Sequence, residues 1–162
     1  MRNRPAAAQF ADRFHHSDAV IDAARSLASE FHCAPLGATS THVLSMLTRL
    51  ARPASAIDVG TGTGVSAVTI LSAMPPGGVL TTIDTDPVNH LEIFPMALSK
   101  LRAGGVIVVN NAMAAGAVAN PADRSATTSA TRRMLTYVSE VPNTERVLLP
   151  VDAGLLALIR AD

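Results

Sequence analysis

Tryptophan is absent from this 162-residue sequence, and aromatic residues make up only 3% of it. Binding single-stranded nucleic acid by stacking needs exposed rings, so the composition argues against that function. Basic and acidic residues balance at 13 each. No electrostatic excess is therefore available for a nucleic acid or an anionic membrane surface. The single cysteine, Cys33, rules out an internal disulfide and fits a reducing compartment. No apolar run reaches the ~18 residues of a membrane helix. The opening MRNRPAAAQFADRFHH lacks the apolar stretch of a secretory signal. The expectation is a cytoplasmic protein with no nucleic-acid partner and no membrane partner.

Apolar residues are plentiful at 48%, so the core is built from Ala, Val, Leu and Ile. The length fits one domain. Residues 1–16 read as a flexible arm, and 17–162 as a single domain without repeat or linker. Asp18 to Phe31 has helical periodicity, with Ser17 or Asp18 as N-cap. A second helix starts at Thr39 or Ser40 and runs through Leu50, ahead of Pro53. Ala56–Val59 reads as a buried strand, Val65–Ala73 as a helix and Val79–Asp84 as a strand. Leu91–Leu101 is helical and stops at Gly104–Gly105. Val106–Val109 is a β-branched strand, 112–125 a loop of small residues, and Ser129–Val141 a helix. Arg146–Leu149 and Leu155–Ile159 read as a terminal antiparallel pair.

The informative segment is AIDVGTGTGVS, Ala56 to Ser66. Gly60, Gly62 and Gly64 permit a tight turn and close approach of a ligand to bare backbone. The following helix points its first amides back at that loop. Asp84 ends the next strand at the carboxyl edge, where open α/β sheets bind ligands, and one carboxylate can accept bonds from two ribose hydroxyls. A pyrophosphate fingerprint, G-x-G-x-x-G, would place its third glycine at 65, where this chain has Val65. The spacing disfavours a nicotinamide dinucleotide and favours a ligand without a pyrophosphate.

These residues resemble those of class I SAM-dependent methyltransferases. IDVGTGTGVS, GVLTTID, LRAGGVIVVNNAM and LLPVDAGLLALIR, in that order, are similar to the catechol/caffeoyl-CoA type of O-methyltransferase in its actinobacterial branch. PLGATSTHVLSMLTRLA matches the family's lead-in. The resemblance implies an α/β, reduced Rossmann-like sheet of about five strands. That sheet would be mostly parallel, with an antiparallel C-terminal pair and N-terminal helices that support a homodimer. It implies S-adenosyl-L-methionine as cofactor and a small hydroxylated acceptor. It places Asp58 beside the methionine moiety and Gly60, Thr61, Gly62, Thr63 and Gly64 in the cofactor loop. Ser66 would sit on the carboxylate and Asp84 on the ribose.

The departures from the family are equally specific. LTTID runs directly into TDPVNHLEIFPMALSKLRAGG, which resembles the segment after the family's fourth strand rather than its second. Two strand–helix units are missing, on the order of 60 residues at ~30 per unit. Asp84 can stand for the ribose acid or for the metal acid, but not for both. The family's Asp-Asn metal pair is Asn110–Asn111 here, its lysine is Pro87, and a following aromatic is Ala114. Asp84, Asn110 and Asn111 would make a poor Mg²⁺ site, because hard cations prefer carboxylates and water. Three sheet arrangements are open: the Val79–Asp84 strand keeps the ribose-side place and leaves a gap, it takes the fourth-strand place, or all five strands close up.

No catalytic residue is assigned. His15, His16, His32, His42 and His90 show no ligand spacing, and Cys33 has no activating neighbour. Arg132–Arg133 reads as a solvated helix face, and the methionines as gap-filling core. Two functions follow: a SAM-dependent O-methyltransferase, or a catalytically impaired SAM- or nucleotide-binding remnant or structural paralogue.

Overall fold

The computed structural model describes residues 6–161 apart from 17, 29, 32 and 84–89, and of 90 and 91 the backbone only. Contacts cluster in two compact units, Met1–Asp84 and Thr85–Asp162. No helix among the described residues is long and apolar enough to cross a membrane.

In the first unit, α1 (Ala6–Phe14) lies within the stretch read from the sequence as an arm. The Thr39 hydroxyl donates to Asp12 at 2.8 Å, tying it to the next helices. Helix α2 (Ala19–Leu27) is capped by Asp18, whose carboxylate accepts from the amides of Val20 and Ile21. It ends short of the expected Phe31. Helix α3 (Ala38–Ala51) starts and stops within a residue of expectation and closes on Arg52 in the left-handed region. Strands β1 (Ser55–Val59) and β2 (Val79–Ile83) flank α4 (Val65–Ala73). They pair in parallel, from Ser55 opposite Val79 to Val59 opposite Ile83. A parallel pair needs a crossover helix packed on it, and α4 packs on both strands. Its other side meets α2 and α3, which is why VSAVTILSA is apolar all round. The buried threonines Thr48 and Thr69 donate to Leu44 and Val65, one turn back, so their hydroxyls are satisfied.

The second unit opens with α5 (His90–Lys100), followed by β3 (Val106–Asn110), a short 3-10 segment (Ala114–Ala119), α6 (Ala126–Glu140), β4 (Thr144–Leu149) and β5 (Leu155–Arg160). The expected terminal pair is present, β4 antiparallel to β5. β5 is also antiparallel to β3, giving the order β3-β5-β4. The reason is the run LLAL at 155–158, buried residue after residue, which demands the central position. β4 carries Glu145 and Arg146 and takes an edge, where charge discourages further pairing. Phe94, Met134 and Val138 cover Leu156 and Leu158.

Among the described residues the strands form a two-stranded and a three-stranded sheet. This corrects one expectation: the pairings are not mostly parallel, since one is parallel and two are antiparallel. The β1–β2 ladder sets Val79–Ile83 directly beside the loop strand. Arg132 is also not on a solvated face. Its guanidinium donates to the carbonyls of Ala117, Val118, Asn120 and Asp123, holding the loop before α6. Met134 is buried as expected, but Met46 and Met96 are exposed.

Gly154 is a tight point of this unit. It has φ +96, and a Cβ there would lie 2.6 Å from the amide nitrogen of Met113. Its carbonyl accepts from Ala112 at 2.9 Å, joining the end of β3 to the start of β5. Gly154→Ala combines left-handed strain with a backbone clash. It is expected to destabilise the protein by about 2–5 kcal/mol, measured as a lowered urea midpoint. A loss below about 0.5 kcal/mol would contradict this packing.

Candidate cofactor loop

The loop of interest joins β1 to α4 in the first unit. The Gly60 amide donates to the Ile83 carbonyl at 2.7 Å, carrying the parallel ladder one step beyond the strands. The chain then turns through Gly60, Gly62 and Gly64 at φ 81, 50 and 88. All three angles lie in the left-handed region, which explains glycine at each position. The Gly64 amide donates to Thr61 at 2.9 Å, and the Gly64 carbonyl accepts from Val68 to start the helix. Gly64 caps α4 without a side-chain hydrogen bond. The first amides of the helix therefore have no acceptor from the cap residue itself. A Cβ on Gly64 would meet nothing within 4 Å, so the loop is open there.

Asp58 is buried, with 8% of its surface exposed. Burial raises its pKa, and this is opposed by the Ser66 hydroxyl and, more weakly, by that of Thr61. Ser66 donates to the Asp58 carboxylate at 3.0 Å. Thr61 lies near it without meeting hydrogen-bond geometry. The Thr61 and Thr63 hydroxyl oxygens are buried and have no hydrogen-bond partner among the described residues. Unpaired buried hydroxyls are costly and call for an explanation. The sequence thus located the loop residues, and the structure links Asp58 to Ser66. In this structure the one hydroxyl proton of Ser66 is directed at Asp58 and steadies it. One neighbour carried no sequence signal: Cys33, between α2 and α3, lies 3.5 Å from where a Gly62 Cβ would stand.

Asp84 lies outside the described residues, as does Pro87. Asn110 and Asn111 belong to the second unit. Asn110 ends β3 opposite Leu155. Asn111 is left-handed at φ 56, and its side-chain oxygen accepts from the Ala115 amide at 3.1 Å. Among the described residues no three His, Cys, Asp or Glu side chains group to hold a metal ion. Two neutral amides, one with its oxygen committed to the loop, do not fit a hard cation.

Comparison with known proteins decides the family. The O-methyltransferase family profile matches residues 23–95 and again 83–161. The chain belongs to the O-methyltransferase family. The two matched segments overlap at the junction where β2 runs into α5, as a chain shortened between two similar segments would give. A Mycolicibacterium smegmatis protein with an O-methyltransferase designation is 28% identical over 198 aligned positions, covering 93% of this chain and 94% of that protein. Since 93% of 162 residues is about 151, about 47 aligned positions have no residue here. The O-methyltransferase TomG from Streptomyces achromogenes, solved with SAM, superposes with a TM-score of 0.78 at 18% identity, covering 95% of each chain. An O-methyltransferase from Bacillus cereus, solved with SAH, gives 0.78 at 16%, covering 96% of this chain and 97% of that one. These likenesses establish a Rossmann-like methyltransferase fold for this O-methyltransferase.

The buried Asp58 sets a pH dependence of stability. Its folded pKa is raised above the usual 3.8, so the native state holds the proton more tightly than the unfolded state. The stability penalty is absent below the unfolded value, grows through the window up to the raised value, and is complete above it. Asp58→Asn removes it. The variant's urea midpoint should therefore gain on wild type as pH rises from about 3 to about 7. A difference independent of pH would contradict a buried, charged Asp58.

Proposed function

We propose that this O-methyltransferase binds S-adenosylmethionine in the loop from Gly60 to Gly64 and methylates a hydroxyl of a small, catechol-like acceptor. The observation that carries this reading is the pair of buried, unpartnered hydroxyls on Thr61 and Thr63. Together with the uncapped first amides of α4, they form a donor set suited to a carboxylate. Asp58, held by Ser66, offers an anion to an ammonium. An amino-acid moiety carries both groups. The open face at Gly64 leaves backbone bare for close approach. Asp84 takes the ribose hydroxyls in this reading. When bound, the cofactor supplies an electrophilic methyl group; the chain contributes alignment.

No residue is assigned as a base, and no metal is assigned. Asn110 and Asn111 serve the β3 turn, so an acceptor must reach the site ionised or lose its proton to solvent. The two units act as one shortened methyltransferase domain, a reading supported by the family match running through both. The protein is cytoplasmic in this account and pairs through its N-terminal helices. Phe10, Phe14 and Leu50, exposed by 67%, 77% and 74%, are apolar surfaces on those helices that support the pairing.

One observation favours a second reading, a SAM-binding remnant without turnover: about 47 positions of the M. smegmatis relative have no counterpart here. The discriminating assay follows labelled methyl transfer from SAM to catechol-type acceptors, with Mg²⁺ and with EDTA. The expected result is transfer in both, at rates within about twofold of each other. Transfer abolished by EDTA would overturn the metal-free account, and SAM binding without transfer would favour the remnant.

A further inference from the structure

The tip of the glycine loop is flanked by a side chain from elsewhere in the first unit. Cys33, in the connection between α2 and α3, has its Sγ 3.5 Å and its Cβ 3.6 Å from the place where a Gly62 Cβ would stand. Its side chain therefore fills the room beside Gly62. That glycine sits between Thr61 and Thr63, whose hydroxyl oxygens are buried without a hydrogen-bond partner among the described residues. The course of the connection thus bears on how those hydroxyls are presented.

The connection is fixed at both ends. The Cys33 amide donates to the Ala28 carbonyl at 2.9 Å, just past α2. At the other end, Arg25 of α2 reaches across to the start of α3. Its Nε donates to the Leu36 carbonyl at 3.2 Å, and its Nη2 to the Thr41 hydroxyl at 3.2 Å. Thr41 is 3% exposed and gives its own proton to the Gly37 carbonyl at 2.7 Å. One guanidinium therefore holds two successive carbonyls, Leu36 directly and Gly37 through the threonine. Nη1 is anchored on Asp22 at 2.8 Å, which sets the orientation of the planar fork.

We propose that Arg25 is a positioning residue for the cofactor loop, acting through the 33–37 connection and not by touching the cofactor. The inference rests on the reading of that loop as the S-adenosylmethionine site. Arg25 and Thr41 hold the connection, the connection places Cys33, and Cys33 confines the loop at Gly62. A loop already held in its binding conformation spends less binding free energy on ordering. Arg25 therefore sets the affinity of the folded chain as well as its stability. The coupling is reciprocal: bound cofactor steadies the connection as the connection steadies the loop.

The test is calorimetric titration of the full chain with S-adenosylmethionine, beside the rate at which iodoacetamide alkylates Cys33, the chain's only thiol. Arg25→Gln should weaken binding about tenfold and speed alkylation about threefold or more. Thr41→Val, which removes the link to Gly37, should shift both in the same direction and carries the test if Arg25→Gln does not fold. Both variants are read well below their unfolding midpoints and with unchanged circular dichroism. A merely structural role would lower the urea midpoint and leave the dissociation constant of the folded chain where it was. Saturating S-adenosylmethionine should slow alkylation of the wild type. Wild-type affinity in both variants, or alkylation indifferent to Arg25→Gln and to the cofactor, would overturn the proposal and leave the reading of the loop intact. No binding by folded wild type would overturn both.

Discussion

The hydrogen bond from the Gly60 amide to the Ile83 carbonyl sets the geometry of the glycine loop. It extends the β1–β2 ladder past the last strand residue, so the chain leaves the sheet only at the first glycine. From there three left-handed glycines bring it round to the start of α4. Asp58, two residues earlier, is thereby buried beneath the turn, within reach of Ser66 in the first turn of the helix. Without that extra rung, the loop would have no fixed exit angle and the helix amides no fixed direction. The two hydroxyls left unpaired at Thr61 and Thr63 are the cost of this arrangement, and a ligand with a carboxylate would offset it.

The shortening of the chain is visible in how its strands pair. A parallel β1–β2 pair carries the loop, and an antiparallel β3-β5-β4 sheet carries the C-terminal half. Each has its own source of order: α4 beneath the first, the fully buried LLAL run within the second. The family profile matches both halves, overlapping where they join. About 47 aligned positions of the M. smegmatis relative have no residue here. In the second half, Asn111 is committed to a turn.

Much of this was legible in the sequence, because local rules decide it. Val65–Ala73 was read to the residue, since glycine before it and Pro75 after it bound an apolar run. Asp18 was readable as a cap, having the side chain a cap needs. The turn at the loop was readable from glycine spacing. Other features depended on contacts between distant segments. No pattern announced that Arg132 would gather four loop carbonyls, because an arginine on a helix usually faces water. The Ser66–Asp58 hydrogen bond likewise carried no sequence signal. The pairing of β5 with β3 as well as β4 was missed because β5 looks the same in sequence whether it has one partner or two. His15 and His42 came together only through the docking of α1, a stretch read as an arm.

The central claim is that the glycine loop binds the amino-acid end of a methyl-donor cofactor. The most direct measurement is calorimetric titration of the purified chain with S-adenosylmethionine and S-adenosylhomocysteine, with NAD as control. The account predicts one-to-one binding of both sulfur compounds, weakened in Thr63→Val, and no binding of NAD. Failure of both to bind a chain shown to be folded by circular dichroism would contradict it.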